Sequence, residues 1–236
     1  MLPLFARKPL GSLLLAAAGA LFLVPVAWAQ VGPTAAEAAR YTGLHAAAYR
    51  GDVAQIQRLA AARADLNARD GHGRTPVHVA TFARQREAIR ALASAGADLN
   101  LLENDRYDGV TIASVADDEE TLRVLLSLGA SAKQVTSRYD GTALIAAAHL
   151  GHEGVVRQLI AAGAPLDHVN NLHWTAVIEA IVLGNGGARH QATLQALVKA
   201  GANLQLTDRQ GQTPLELARA RGYGEMVKML MAAGAK

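Results

Sequence analysis

Thr75-Pro76-Val77-His78-Val79-Ala80 and Thr213-Pro214-Leu215-Glu216-Leu217-Ala218 are one hexapeptide frame met twice in a chain of 236 residues. Looser copies start at Thr42, Asp108, Thr142 and Thr175, so six segments stand 33, 33, 34, 33 and 38 residues apart. A fixed period of this size points to stacked repeats, each burying its apolar face only against its neighbours. Thr, or Asp at 108, is a helix N-cap residue, and Pro suits the first helical position. Five residues after every start stands alanine: Ala47, Ala80, Ala113, Ala147, Ala180 and Ala218. A side chain this small lets two helices approach closely. Near each repeat end comes Gly-Ala, with Arg63-Ala64 in the first copy. Four residues before that pair there is always leucine, from Leu59 to Leu230, and three residues further back always an aliphatic, from Ile56 to Val227. Spaced by three, this pair lies on one face of a second helix, which Gly then ends in a left-handed conformation. Asp with Gly supplies the following turn, as in Asp70-Gly71-His72-Gly73 and Asp208-Arg209-Gln210-Gly211.

Composition agrees with close-packed helices. Hydrophobic residues make up 51% and charged residues 18%, which excludes a disordered chain, and aromatics are only 4%. An apolar content dominated by Ala and Leu favours an all-α fold over a β-sandwich. With no cysteine, a disulfide framework, a thiolate metal site and a Cys nucleophile are excluded. Formal net charge is +3, and leaving out residues 1–29, which carry Arg7 and Lys8, brings it to +1. That is no concentrated basic face, so no nucleic-acid partner is expected.

The first thirty residues read as an address. Arg7 and Lys8 precede a twelve-residue apolar run, Leu13 to Val24, which Pro25 breaks; Ala27-Trp28-Ala29 then gives a small-x-small exit before Gln30. A positive start, a short apolar run and a small-residue exit describe a secretory signal peptide cut between Ala29 and Gln30. As a helix the run spans about 18 Å, against about 30 Å of bilayer hydrocarbon, so it is too short for an anchor. No second spanning stretch follows. The expectation is a periplasmic protein, with secretion beyond the envelope as the alternative.

The period of 33, the T-P-L-H-x-A frame and the terminal L-x-x-x-G-A resemble the ankyrin repeat over residues 42–236. The block from Tyr139 to Leu144, with Asp167 to Thr175 and the export signal, further resembles exported bacterial ankyrin proteins. The resemblance implies an all-α ankyrin-repeat solenoid of about six repeats, built of paired antiparallel helices with β-hairpin or turn fingers. Its domains are 1–29, a signal peptide; 30–41, an N-terminal cap segment; and 42–236, the repeats. It implies a non-enzymatic module binding another protein, expected as a monomer and without a cofactor. Residues around Gly184-Asn185-Gly186-Gly187 are extra in repeat five and are expected to lengthen the turn between its helices.

Motifs of enzyme chemistry are absent from the sequence. By resemblance, His45 and His78 occupy the T-P-L-H position and His152 and His190 the G-H position, all bracing roles. His72, His149, His168 and His173 fall outside the repeat pattern, three of them near Asp140, Asn170, Asn171 and Glu179. No pair has a diagnostic metal spacing, so neither a metal nor a catalytic constellation is expected. The rival is a small-ligand or metal-dependent site in repeats four and five, with Asp140 or Glu179 converging on His149 in a closed pocket.

Aromatics suggest where a partner sits. By resemblance, partners dock on the fingers and inner helices. Tyr41, Tyr107 and Trp174 immediately precede repeat starts, Tyr139 stands with Asp140 on finger four, and Tyr49 and Phe82 share one inner-helix position. The same inner row continues through His149 and Val182, flanked by Leu150 and Leu183, with Asn171 on finger five. These rings are expected to stand exposed on one strip with no core role, so that truncating Trp174 leaves stability unchanged. Each would then be free to fill a pocket on the partner.

Overall fold

The computed structural model describes residues 30–236, so the signal segment and its cleavage site before Gln30 lie outside or at the edge of the described residues. Among these residues there are thirteen helices and no strand. A short α1 (Ala35–Arg40) is followed by six helix pairs. They are α2 (Gly43–Arg50) with α3 (Val53–Ala61), α4 (Pro76–Phe82) with α5 (Arg86–Ser94), and α6 (Gly109–Val115) with α7 (Glu119–Ser127). Then come α8 (Ala143–Leu150) with α9 (Glu153–Ala161), α10 (Ala176–Val182) with α11 (Ala188–Lys199), and α12 (Pro214–Ala220) with α13 (Gly224–Ala232). First helices pack on first helices along the row α2, α4, α6, α8, α10, α12, and second helices along their own row from α3 to α13. The result is a solenoid of six stacked pairs.

The column logic of the repeat is visible in its packing. All six column alanines, Ala47 to Ala218, are 0–1% exposed. Leu92, Leu125, Leu159, Leu197 and Leu230 are fully buried, each worth roughly 1.5–3 kcal/mol over an exposed side chain. Leu59 and Val227 are only half-buried because their repeats lack a neighbour on one side. Second helices end at glycines with φ of +79° to +100°, whereas Arg63 takes the same left-handed place at φ 59°.

Of the expected β-hairpin or turn fingers the structure has the turn form, closed by backbone hydrogen bonds, with one isolated bridge, Thr136 to Gly141, among the described residues. One side chain clamps the turn in four of the five fingers. Asp70 Oδ1 accepts from the amides of His72 and Arg74; Glu103 Oε1 does so for Asp105 and Tyr107. Asn170 Oδ1 accepts from Leu172 and Trp174, and Asp208 Oδ1 from Gln210 and Gln212. Neighbouring fingers are joined backbone to backbone: Asn104 N to His72 O at 3.0 Å, Ser137 N to Arg106 O at 2.9 Å, and Asn171 N to Tyr139 O at 2.9 Å.

One local expectation changes, and one corner of the fold is tied more widely than its helix start requires. Insertion in repeat five does not go into the turn alone. Part widens the connection at 183–187, and part extends α11 to twelve residues where its counterparts have nine, nearly one more turn. The connection is tied down: Tyr223 donates its hydroxyl to Gly184 O at 3.0 Å, and Gln191 Nε2 donates to Gly186 O at 2.8 Å. The acids Asp117 and Asp118 do more than start α7. Asp118 caps Thr121 and also pairs with Arg86 at 3.2 Å, while Asp117 pairs with Arg189 at 2.8 Å, so this corner links repeats two, three and five.

Candidate functional site

One side of the solenoid is built from the first helices and the fingers. There the structure places the residues immediately before each repeat start in one row: Tyr41, Arg74, Tyr107, Gly141, Trp174 and Gln212. Behind them on the inner helices lie Tyr49, Phe82, His149, Leu150 and Val182, with Leu183 at the C-cap of α10.

The rings are not exposed as the sequence suggested. Tyr49, Phe82, Tyr107, Tyr139 and Trp174 are all half-buried, and Tyr41, Tyr49 and Trp174 pack against the core. The large hydrophobics that do stand out among the described residues are Val31, Val135, Val169 and Met231, none of them aromatic. The cause is the alanine content of the inner helices, which leaves room for a ring to fold its face over the core. Covering the core this way removes ring area from water. Burial accordingly pushes the Tyr107 hydroxyl above its ordinary pKa.

Bracing histidines behave as the repeat implies. Thr75 donates its amide to His78 Nδ1 at 3.1 Å, which leaves Nε2–H to donate to Tyr107 O at 3.0 Å. Burial pushes the His78 imidazole down to about 4, so it stays neutral. His45 Nε2 stands 2.9 Å from Arg74 O. His152 and His190 reach back to the first helix of the preceding repeat, at Ser114 O and His149 O, both at 2.9 Å.

Of the histidines outside the pattern, His168 lies 2.6 Å from Asp140 O, and His173 sits at φ 65° in the left-handed corner of finger five. His149 is different. Its Nδ1 stands 3.0 Å from Glu179 Oε2, and Asn170 Nδ2 donates to Glu179 Oε1 at 3.1 Å. Glu179 has no solvent exposure and Asn170 3%. Residue 179 belongs to an inner-helix column otherwise filled by Ala46, Val79, Ile112, Ala146 and Leu217. An acid there is a departure from the apolar pattern. It links α8, α10 and finger five, and through the Asn170 clamp it holds the backbone of Trp174. Beside Asn170, a cavity of about 10 Å³ framed by Tyr107, Thr111 and Thr136 has room for about one water. Among the described residues no group of three or more His, Asp or Glu side chains is placed to hold a metal ion.

On the remaining fingers, Asp140 pairs with Arg106 at 2.8 Å, and exposed Asn171 donates Nδ2 to Arg138 O at 2.9 Å. At the amino-terminal end, Arg74 is only 2% exposed and binds Asp70 Oδ2 at 2.7 Å and Glu37 Oε1 at 3.1 Å. Tyr41 donates to the same Asp70 oxygen at 2.7 Å. Burial works against the Asp70 charge, but hydrogen bonds from Tyr41 and Arg74 hold its pKa at about 2. This network was not foreseen from the sequence; its one signal is an arginine in a row of rings.

A solenoid of helix pairs with a pre-bonded finger row is the architecture of protein-interaction repeat modules. The chain belongs to the ankyrin-repeat family, whose three-copy model matches residues 14–103 and 110–208. It is 46% identical to an ankyrin repeat domain, ABAYE2397, of Acinetobacter baumannii AYE, covering 82% of this chain and 98% of that one with a TM-score of 0.77. Over 100 residues it is 44% identical to the ankyrin repeat protein YahD of Escherichia coli K12, 42% of this chain; it spans about half, 50%, of that curated relative's length. It also resembles a chain in the complex of the predatory endopeptidase Bd0816 of Bdellovibrio bacteriovorus with immunity protein Bd3460. There the identity is 25%, the coverage 81% of this chain and 98% of that one, and the TM-score 0.67.

Proposed function

We propose that the protein is a non-enzymatic binding module that is exported to the periplasm and holds a protein partner on its finger-and-inner-helix face. The observation that carries this reading is the row of half-buried rings on fingers whose backbones are already joined. Little conformational freedom is left to lose there on binding, which is what a pre-organised interface needs. Tyr107, Tyr139, His149, Leu150, Trp174, Val182 and Leu183 form its central strip, with Asp140 and Asn171 at the finger edge. The similarity to a chain from an endopeptidase–immunity protein complex supports a protein as the partner class. Export rests on the signal pattern ending at Ala29. Two measurements test the reading. Amino-terminal sequencing of the protein from an osmotic-shock fraction should begin at Gln30, and intact Met1 in the membrane fraction overturns export. A photo-crosslinker placed at residue 139 should capture a discrete partner that a crosslinker on the outer helix at residue 157 does not; equal capture at both overturns the face.

A second reading draws on the His149–Glu179 contact, since a carboxylate behind an imidazole is also how a general base is oriented. Turnover of a small substrate that is lost in folded His149→Ala would favour it.

A further inference from the structure

Residues 30–41 do not simply close the end of the solenoid. Ala35–Arg40 takes the place that a finger would hold in repeat one, and the chain before it runs onto the binding face. A Cβ added at Gly32 would stand 3.1 Å from Phe82 Cδ1, so the backbone of residue 32 lies directly on that ring. Arg74 Nη1 donates to Val31 O at 3.4 Å. Glu37 is gripped on both oxygens: Oε1 by Arg74 at 3.1 Å and His72 at 2.7 Å, Oε2 by the Thr34 amide and hydroxyl at 2.8 Å. The Thr34 amide and hydroxyl, with Arg74 behind them, hold the Glu37 carboxyl at about 2.

What holds the segment is polar. No residue of α1 is buried, and Val31 is 63% exposed. A six-residue helix has little stability of its own. Arg74, by contrast, is buried beneath the segment; Asp70 holds its Nε, and its two terminal nitrogens take their partners, an anion and a carbonyl, from whatever covers it. Lifting the segment would uncover Phe82 and leave Arg74 and His72 facing solvent.

We propose that residues 30–41 are a removable pseudo-ligand, occupying the Arg74–Phe82 end of the binding face. A partner reaches that end by presenting an extended segment whose carboxylate takes Glu37's place on Arg74. This deepens the binding-face reading and rests on it, but it is testable with no partner in hand. The probe is a labelled synthetic peptide of residues 30–41, followed by fluorescence anisotropy against the full protein. Amide exchange of residues 31–41 is measured in parallel. In Glu37→Ala the segment should exchange faster, and the peptide should bind about tenfold or more tighter than to wild type, since apparent affinity scales with the uncovered fraction. Adding Arg74→Lys to Glu37→Ala keeps the charge but loses the fork geometry, and should weaken the peptide again. Unchanged exchange in Glu37→Ala overturns the proposal, and so does a released segment with no gain in peptide binding. Failure to find any protein partner would sink the binding-face reading and leave these outcomes untouched.

Discussion

His149 Nδ1 stands 3.0 Å from Glu179 Oε2 across the boundary between repeats four and five, with Asn170 Nδ2 on the other carboxylate oxygen at 3.1 Å. In a column of aliphatic and alanine side chains, this acid is held by its donors. Glu179→Ala removes the acceptor from both and leaves an uncompensated polar group out of water. The expected loss is about 3 kcal/mol, read as a lower urea midpoint with unchanged slope. An unchanged midpoint would mean that water replaces the carboxylate.

Asp108 fills the start position that threonine holds in the other five repeats. Its Oδ1 caps Thr111 at 2.7 Å, but Oδ2 is buried with no partner. Burial raises its pKa above the ordinary 3.8. The folded chain therefore keeps this proton to higher pH than the unfolded chain does. Stability falls as pH rises through that window and stays reduced above it. Asp108→Thr should stabilise the protein by about 1 kcal/mol at pH 7, with a smaller gain near pH 3. Chemical denaturation of both proteins at the two pH values checks the magnitude and the sign.

Arg63 closes α3 at φ 59°, a conformation that costs a residue with a Cβ about 1 kcal/mol. Arg63→Gly matches the glycine that ends every other repeat and should raise the melting temperature by a few degrees. A fall in melting temperature would show that the arginine side chain contributes more than the strain it carries.

Trp174 packs against the core while its amide is held by Asn170 Oδ1 at 2.9 Å. Trp174→Ala is expected to cost about 2 kcal/mol, in contrast to the exposed ring that the sequence suggested. Thermal melting followed by circular dichroism decides between the two. Trp174→Phe should recover most of the loss, because the face that covers the core is kept.

The repeat frame was legible because each of its columns answers to one physical demand. Ala80 or Ala147 permits close helix approach, Leu125 fills a core, and Gly163 takes a left-handed turn. None of these needs knowledge of distant residues. Half-burial of the rings was not legible, since it depends on how much space the alanines leave once helices stack. The sequence already offers Glu179 as a neighbour for His149, but the role of Asn170 in joining them depends on a finger turn that brings residues 170 and 179 together. The contacts of Arg74 with Glu37 cross 37 residues, and nothing local in either segment marks them.

The side-chain clamp at the base of four of the fingers has a consequence for diversification. Asp70, Glu103, Asn170 and Asp208 fix their turns by hydrogen bonds to backbone amides, so the side chains of the tip pairs they enclose are not what closes the turns. Gly71-His72, Asn104-Asp105, Asn171-Leu172 and Arg209-Gln210 are four different pairs, sharing only the Asn at 104 and 171, while the turns stay the same. Those pairs behave as a cassette: a library randomised there and clamped by the four retained residues would vary what is recognised while leaving the scaffold that presents it intact.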